Sequence, residues 1–160
     1  MTVNDTMTLH GTRTPASQIH GTCVTIDKTA VALLGPSGSG KSDLALRLID
    51  EGAILIADDR IDISVEGNTL IASAPQNIAG LLEVRGLGIS RIHFKQRGSI
   101  ALAFQMTNPE KIDRLPQSAF WEALDLQIPL IALDPFAASA CAKVRLAVRD
   151  IKQPVFIETD

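Results

Sequence analysis

Short apolar runs separated by glycine, asparagine or paired polar residues divide this chain into its elements. Residues 23–26 are mostly apolar and residues 30–34 wholly so, on either side of Asp27-Lys28, which predicts a hairpin whose second strand leads into a glycine-rich turn. Residues 42–51 are built from strong helix formers, and Gly52 follows as a good helix C-terminal glycine. Residues 53–57 are apolar without alternation, the pattern of a strand buried on both faces, and the run ends abruptly in Asp58-Asp59. Residues 61–65 alternate cleanly and face residues 69–72 across Glu66-Gly67-Asn68, a second hairpin. Between Gly80 and Gly88, apolar residues mix with Glu83 and Arg85, which predicts an ordered functional loop. Strands are expected at 99–106, broken by Asn108-Pro109, and at 128–133. Asp134-Pro135 then fits an N-cap with Pro at the first helical position, and Phe136, Ala140, Val144, Ala147 and Ile151 would share one face of a closing helix. The class is α/β, with more hairpins than a doubly wound parallel sheet carries.

Composition narrows this only a little. The chain has 160 residues, 46% hydrophobic and 21% charged, most simply one globular domain (18–160) behind a flexible, Thr- and Asn-rich segment (1–17). A net charge of −3 without a dense Lys/Arg cluster argues against a nucleic-acid partner or an anionic membrane surface. The polar N-terminus and the absence of any apolar run near 18 residues give no signal peptide or membrane span, so a cytoplasmic location is expected. Cys23 and Cys141 sit in apolar contexts far apart and are read as two buried thiols; His10, His20 and His93 do not pair with them at zinc-ligand spacing.

Gly35-Pro36-Ser37-Gly38-Ser39-Gly40-Lys41-Ser42 brings in specific chemistry, because it fits the phosphate-binding P-loop pattern between an expected strand and an expected helix. In that pattern backbone N–H groups cradle phosphate oxygens, the lysine reaches the β/γ-phosphates, and the last hydroxyl binds Mg²⁺. Phosphoryl transfer also needs a group to handle the acceptor's proton, and Asp58 and Asp59 are the obvious carboxylates. Neighbours on an extended strand point to opposite faces, so only one of the two is expected to aim at the nucleotide; which one stays open. Glu83 and Arg85, between glycines, are candidates of the same kind, as are Arg114, for transferring charge, and His20, at the entry to the first strand.

Taken in order, these segments resemble the C-terminal catalytic domain of the HPr kinase/phosphorylase family, bacterial enzymes that phosphorylate a serine of the phosphotransferase carrier HPr. The resemblance is carried by Ile19-His20-Gly21, the P-loop, Ile56-Ala57-Asp58-Asp59-Arg60-Ile61-Asp62-Ile63, Leu81-Leu82-Glu83-Val84-Arg85-Gly86-Leu87-Gly88-Ile89 and Asp113-Arg114-Leu115. It implies a P-loop kinase domain with a mixed β-sheet, similar to phosphoenolpyruvate carboxykinase-like folds, that uses ATP and Mg²⁺ and is typically hexameric. It further implies that Lys41 binds phosphate, that Ser42 with Glu83 serves Mg²⁺, that Asp58 accepts the proton, and that His20 and Arg114 complete the active site, with Asp59 still open for the base role.

The chain departs from that family twice. Fewer than 20 residues precede His20, so it resembles a short form without the additional N-terminal domain of bifunctional members. Where those members carry an arginine-containing Pro-Val-Arg-Pro-Gly-Arg-like loop implicated in dephosphorylation, this chain has Ala132-Leu133-Asp134-Pro135-Phe136-Ala137. The expectation is an HPr serine kinase with weak or absent phosphorylase activity. The competing readings are a small-molecule P-loop kinase and a non-catalytic ATP-binding regulatory module.

Overall fold

The computed structural model describes residues 17–152, and its elements follow the apolar runs closely. β1 (Ser17–His20) is followed by β2 (Thr22–Ile26) and β3 (Thr29–Leu34), the latter two an antiparallel hairpin. Both turn residues, Asp27 and Lys28, have positive φ, the twist that suits a two-residue hairpin loop. Helix α1 (Lys41–Asp50) comes next, then β4 (Ile54–Ala57) and the hairpin of β5 (Arg60–Glu66) and β6 (Thr69–Ser73). The remaining elements are β7 (Leu81–Val84), β8 (Gly88–Arg91), β9 (Gly98–Met106), β10 (Ala119–Ala123), β11 (Leu126–Leu133) and α2 (Ala140–Lys152). The expected flexible segment 1–17 lies outside the described residues except for Ser17, the first residue of β1. His10 also lies outside them.

The main sheet runs β1-β5-β6-β9-β3-β2-β4 and is mixed: β3 pairs with β9 in parallel, and the other neighbours on this path are antiparallel. It also branches. Along one edge of β9, Gly98, Ser99 and Ile100 pair with β6, whereas Ala103 through Met106 pair in parallel with β11, which carries β10 beyond it. Where β9 changes partner, its register against β3 shifts by one residue: Ile100 faces Ala30, but Leu102 faces Val31. The extra residue flips the side-chain alternation, so Ile100 packs on one face of the sheet and Leu102 on the other.

Each face has its own core. Val31, Leu33, Leu44, Leu48, Phe104 and Val144 form the core between the sheet and the two helices. Cys23, Ala32, Ile56, Ile61, Ile63 and Leu70 fill the opposite face, where the curled β1–β5–β6 portion folds over. Each large side chain buried this way contributes about 1.5–3 kcal/mol relative to exposure. Cys23 and Cys141 are both buried free thiols, as read from the sequence, and burial pushes both thiols above the ordinary cysteine range.

The structure corrects the sequence reading in four places. Residues 80–88 are not a loop: β7 and β8 form a two-stranded hairpin of their own, turned at Arg85-Gly86-Leu87. The closing helix starts at Ala140, not at Pro135. Asp134 instead accepts the Phe136 N–H through Oδ1 at 3.0 Å, a local turn that satisfies the backbone before the helix begins. Phe136 is consequently exposed, and the helix buries Ala140, Cys141, Val144 and Val148. The third is the hairpin of β10 and β11, of which the sequence pattern indicates only the second strand. The fourth is at His20, which ends β1 and does not open the first strand. At the end of α1 the glycine stands one position beyond the cap: Gly52 is left-handed, its N–H bonds to Ile49 O, and the Ala53 N–H bonds to Leu48 O, a Schellman closure.

Candidate active site

The loop between β3 and α1 requires its glycines for space as well as conformation. A Cβ on Gly35, where φ is 152°, would stand 2.7 Å from Ser39 Oγ and 3.1 Å from the Met106 side chain. A Cβ on Gly40 would stand 2.9 Å from the Pro135 ring and 3.0 Å from Phe136. Gly40 is also the N-cap of α1, and no side chain caps the helix there. The first-turn N–H groups of α1 are therefore open to an anion, and the helix dipole favours one.

Lys41 is buried, and its ammonium donates to Gly35 O and Pro36 O, both at 2.7 Å. Burial lowers its pKa from the ordinary lysine value, and the carboxylates of Asp58 and Asp59 oppose that shift. Ser42, the next residue, donates its hydroxyl to Asp58 Oδ1 at 2.7 Å. The same oxygen accepts the Thr22 hydroxyl at 2.9 Å, and Oδ2 accepts the Glu83 backbone N–H at 3.2 Å. Asp58 is thus held by α1, β2 and β7 together, and it is only 6% exposed.

Asp59 is placed differently. Its side chain is 69% exposed, with His20 Nδ1 at 3.7 Å and Arg60 Nε at 3.9 Å. Such exposed contacts contribute little to stability. The reason the two aspartates part in this way is a bulge. Cys23 pairs with Ala57, yet Val24 pairs with Leu55, which leaves Ile56 as an extra residue in β4. Leu55 packs toward the helices, while Ile56 and Ala57 both pack on the other face. Strict alternation from Leu55 would have turned Asp59 toward the P-loop; the bulge turns Asp58 there instead. Gly21 completes the arrangement, since its N–H bonds to Asp59 O and the chain passes from β1 to β2 beside Asp58-Asp59.

Of the residues singled out in the sequence, Lys41, Ser42 and Asp58 converge, and His20 meets Asp59 at the rim. Glu83 reaches the cluster through its backbone, while its side chain is exposed. Among the described residues, Glu83 and Arg85 form no ion pair with each other, and Arg114 makes no hydrogen bond or ion pair. Thr22 was missed, because a threonine in a run of buried strand residues carries no motif.

No group of three His, Cys, Asp or Glu side chains among the described residues is arranged to hold a metal. The hydroxyl of Ser42 and the carboxylate of Asp58 are nonetheless hard oxygen donors in contact. Mg²⁺ typically takes one or two such protein ligands and completes its shell with waters and nucleotide phosphates. The donor set fits that mode and not a closed all-protein site.

The loop read as lacking arginine lies directly over the P-loop. Pro135 and Phe136 pack on Gly40, and Arg47 of α1 donates to Pro135 O. Residues 132–137, the end of β11 and the turn after it, contain no cation, and Asp134 adds a carboxylate.

Residues 12–150 match the family model described as HPr Serine kinase C-terminal domain. The HPr kinase/phosphorylase of Geobacillus thermodenitrificans is 36% identical over 131 residues, 74% of this chain and 42% of that protein. The HPr kinase/phosphorylase of Clostridium botulinum (strain Eklund 17B) is 45% identical over 75 residues, 47% of this chain and 25% of that protein. The chain thus spans less than half the length of these curated relatives. Among solved structures, the Hpr(Ser) kinase/phosphatase from Coxiella burnetii superimposes with a TM-score of 0.76 at 27% identity, covering 85% of this chain and 96% of that one.

Proposed function

The chain belongs to the HPr serine kinase family through its C-terminal domain, and on that premise we propose that it is an ATP-dependent protein kinase that phosphorylates a serine of HPr. The observation that carries this reading is Asp58, a buried carboxylate hydrogen-bonded to the P-loop hydroxyl of Ser42 and within electrostatic range of Lys41. A buried carboxylate beside the phosphate loop suits a transferase, because the acceptor hydroxyl must lose a proton.

Each site residue has a proposed role. The open N-terminus of α1 and Lys41 grip the β- and γ-phosphates of ATP, with Lys41 exchanging its bonds to Gly35 O and Pro36 O for phosphate oxygens. Mg²⁺, when bound through Ser42 and the Glu83 carboxylate, would neutralise phosphate charge. Asp58 takes the serine proton as the serine oxygen bonds to the γ-phosphorus and ADP leaves. Asp59 and His20, exposed beside one another, stand where the acceptor protein would arrive, and Arg114 is assigned to the transferring charge.

The reverse reaction is proposed to be weak. Attack of inorganic phosphate on phosphoserine brings two anions together, and the 132–137 loop over the P-loop offers them no cation. A single catalytic domain over 18–160, a cytoplasmic setting and a hexameric assembly belong to the same proposal. No helix among the described residues is long and apolar enough to cross a membrane.

The test uses labelled ATP, Mg²⁺ and HPr from the same organism, with an HPr whose acceptor serine is replaced by alanine as control. Label on wild-type HPr alone supports the reading. Absence of label on both sinks it, and a small-molecule kinase or a regulatory ATP-binding module then takes its place.

A further inference from the structure

Thr22 sits at the start of β2 with no solvent exposure, on the helix side of the sheet. A β-branched side chain at such a site is restricted about χ1, so few directions are open to its hydroxyl. It points to Asp58 Oδ1, at 2.9 Å. A packing role alone would be filled as well by valine, which would carry no hydroxyl to satisfy in a buried position.

Asp58 Oδ1 has two donors, Thr22 and Ser42, and Oδ2 has one, the Glu83 N–H. These three differ in what a nucleotide would do to them. Ser42 is the hydroxyl that a P-loop commits to the metal ion, so its bond to Asp58 is the one that nucleotide loading competes for. The bonds from Thr22 and the Glu83 backbone face no such competition. They come from β2 and β7, which pack against α1 and define the carboxylate plane independently of the loop.

We infer that Thr22 is a positioning residue for Asp58: its hydroxyl fixes the carboxylate orientation when Ser42 turns to the metal, and so sets the rate of phosphoryl transfer without contributing to nucleotide affinity. Thr22 acts only through Asp58, touching neither ATP nor the acceptor. The inference rests on the kinase reading above.

The experiment compares wild type with Thr22→Val, Thr22→Ser and Thr22→Ala for kcat and KM(ATP) in transfer to HPr, with melting temperature measured alongside. Loss of a hydrogen bond to a charged group predicts that Thr22→Val loses about 10- to 100-fold in kcat. KM for ATP stays within about twofold, because nothing in uniform nucleotide binding is removed. Thr22→Ser keeps the hydroxyl and drops a methyl group, so it retains most of kcat despite a lower melting temperature. A packing role gives the opposite order, with valine near wild type and serine impaired, and that order overturns the inference. A raised KM at unchanged kcat overturns it as well. If Thr22→Val does not fold, the Ser and Ala variants, which differ only in the hydroxyl, decide the matter: equal kcat in the two overturns the inference. An inactive wild type is a separate result that removes the kinase reading and this inference with it.

Discussion

Ser42 Oγ donates to Asp58 Oδ1 over 2.7 Å, so the last residue of the phosphate-binding motif and the first aspartate after β4 are in direct contact. Residues far apart in the chain thus form one unit, and its properties should be separable by substitution.

Asp58→Asn keeps the shape of the side chain but removes the proton acceptor. Transfer to HPr should fall by about 10²–10⁴-fold, while ATP affinity, measured by calorimetry or a fluorescent analogue, should stay near wild type. Asp59→Asn, at an exposed site, should cost less than about tenfold. Turnover surviving in both variants would remove the general-base assignment altogether.

Lys41 is expected to show a trade between stability and binding. Its folded pKa is lowered, chiefly by burial, so at neutral pH the folded state carries an ammonium that burial disfavours. Between the lowered pKa and the ordinary lysine value the unfolded chain binds more protons, and folding stability rises with pH. Lys41→Met removes the buried charge. The nucleotide-free variant should therefore melt no lower than wild type at pH 7, with any advantage shrinking as pH climbs toward the ordinary lysine value. Its ATP affinity should drop by at least about tenfold, the scale of a lost charge-assisted contact. A clearly lower melting temperature at pH 7 would show that the bonds to Gly35 O and Pro36 O outweigh desolvation.

Release of HPr from phospho-HPr in millimolar phosphate should be far slower than the forward reaction. Ala137→Arg places a cation in the loop that lies over Gly40 and, unlike a change at Asp134, leaves the turn to Phe136 intact. This variant should gain reverse activity relative to its forward rate, measured as HPr released over time. Rapid release by the wild-type chain would contradict the proposal.

Gly98 lies against the bulge that orients Asp58. A Cβ there would stand 2.6 Å from Ile56 Cδ1, which is fully buried and has little room to move. Gly98→Ala should destabilise the fold by about 1–3 kcal/mol in urea denaturation. Ile56→Val deletes the clashing atom, at a cost of about 0.5–1.5 kcal/mol alone. The double variant should then be more stable than the two single losses summed, the sign of a shared contact. Strict additivity would place the strain elsewhere.

Local pattern was enough for most of the elements. The P-loop, the hairpin before it, α1 and the β5–β6 hairpin each follow from spacing within a dozen residues or so, because turn chemistry and side-chain periodicity are local properties. Residues 80–88 and 134–139 were misread for the complementary reason. Glycines permit a hairpin turn as readily as a ligand loop, and an Asp-Pro pair starts a turn as readily as a helix.

The inventory was legible along the chain: a phosphate loop, a lysine, a hydroxyl and two candidate carboxylates in order. Tertiary structure decided which carboxylate serves the loop. Alternation along β4 counts faces correctly only in an unbroken ladder, and the single extra residue at Ile56, visible only through the register against β2, moves Asp58 to the helix side and Asp59 to solvent. The same pairing sets Thr22 beside Asp58, although neither residue carries any mark of the other in the sequence. Strand register is fixed by the packing of both faces at once, which is information no single segment contains.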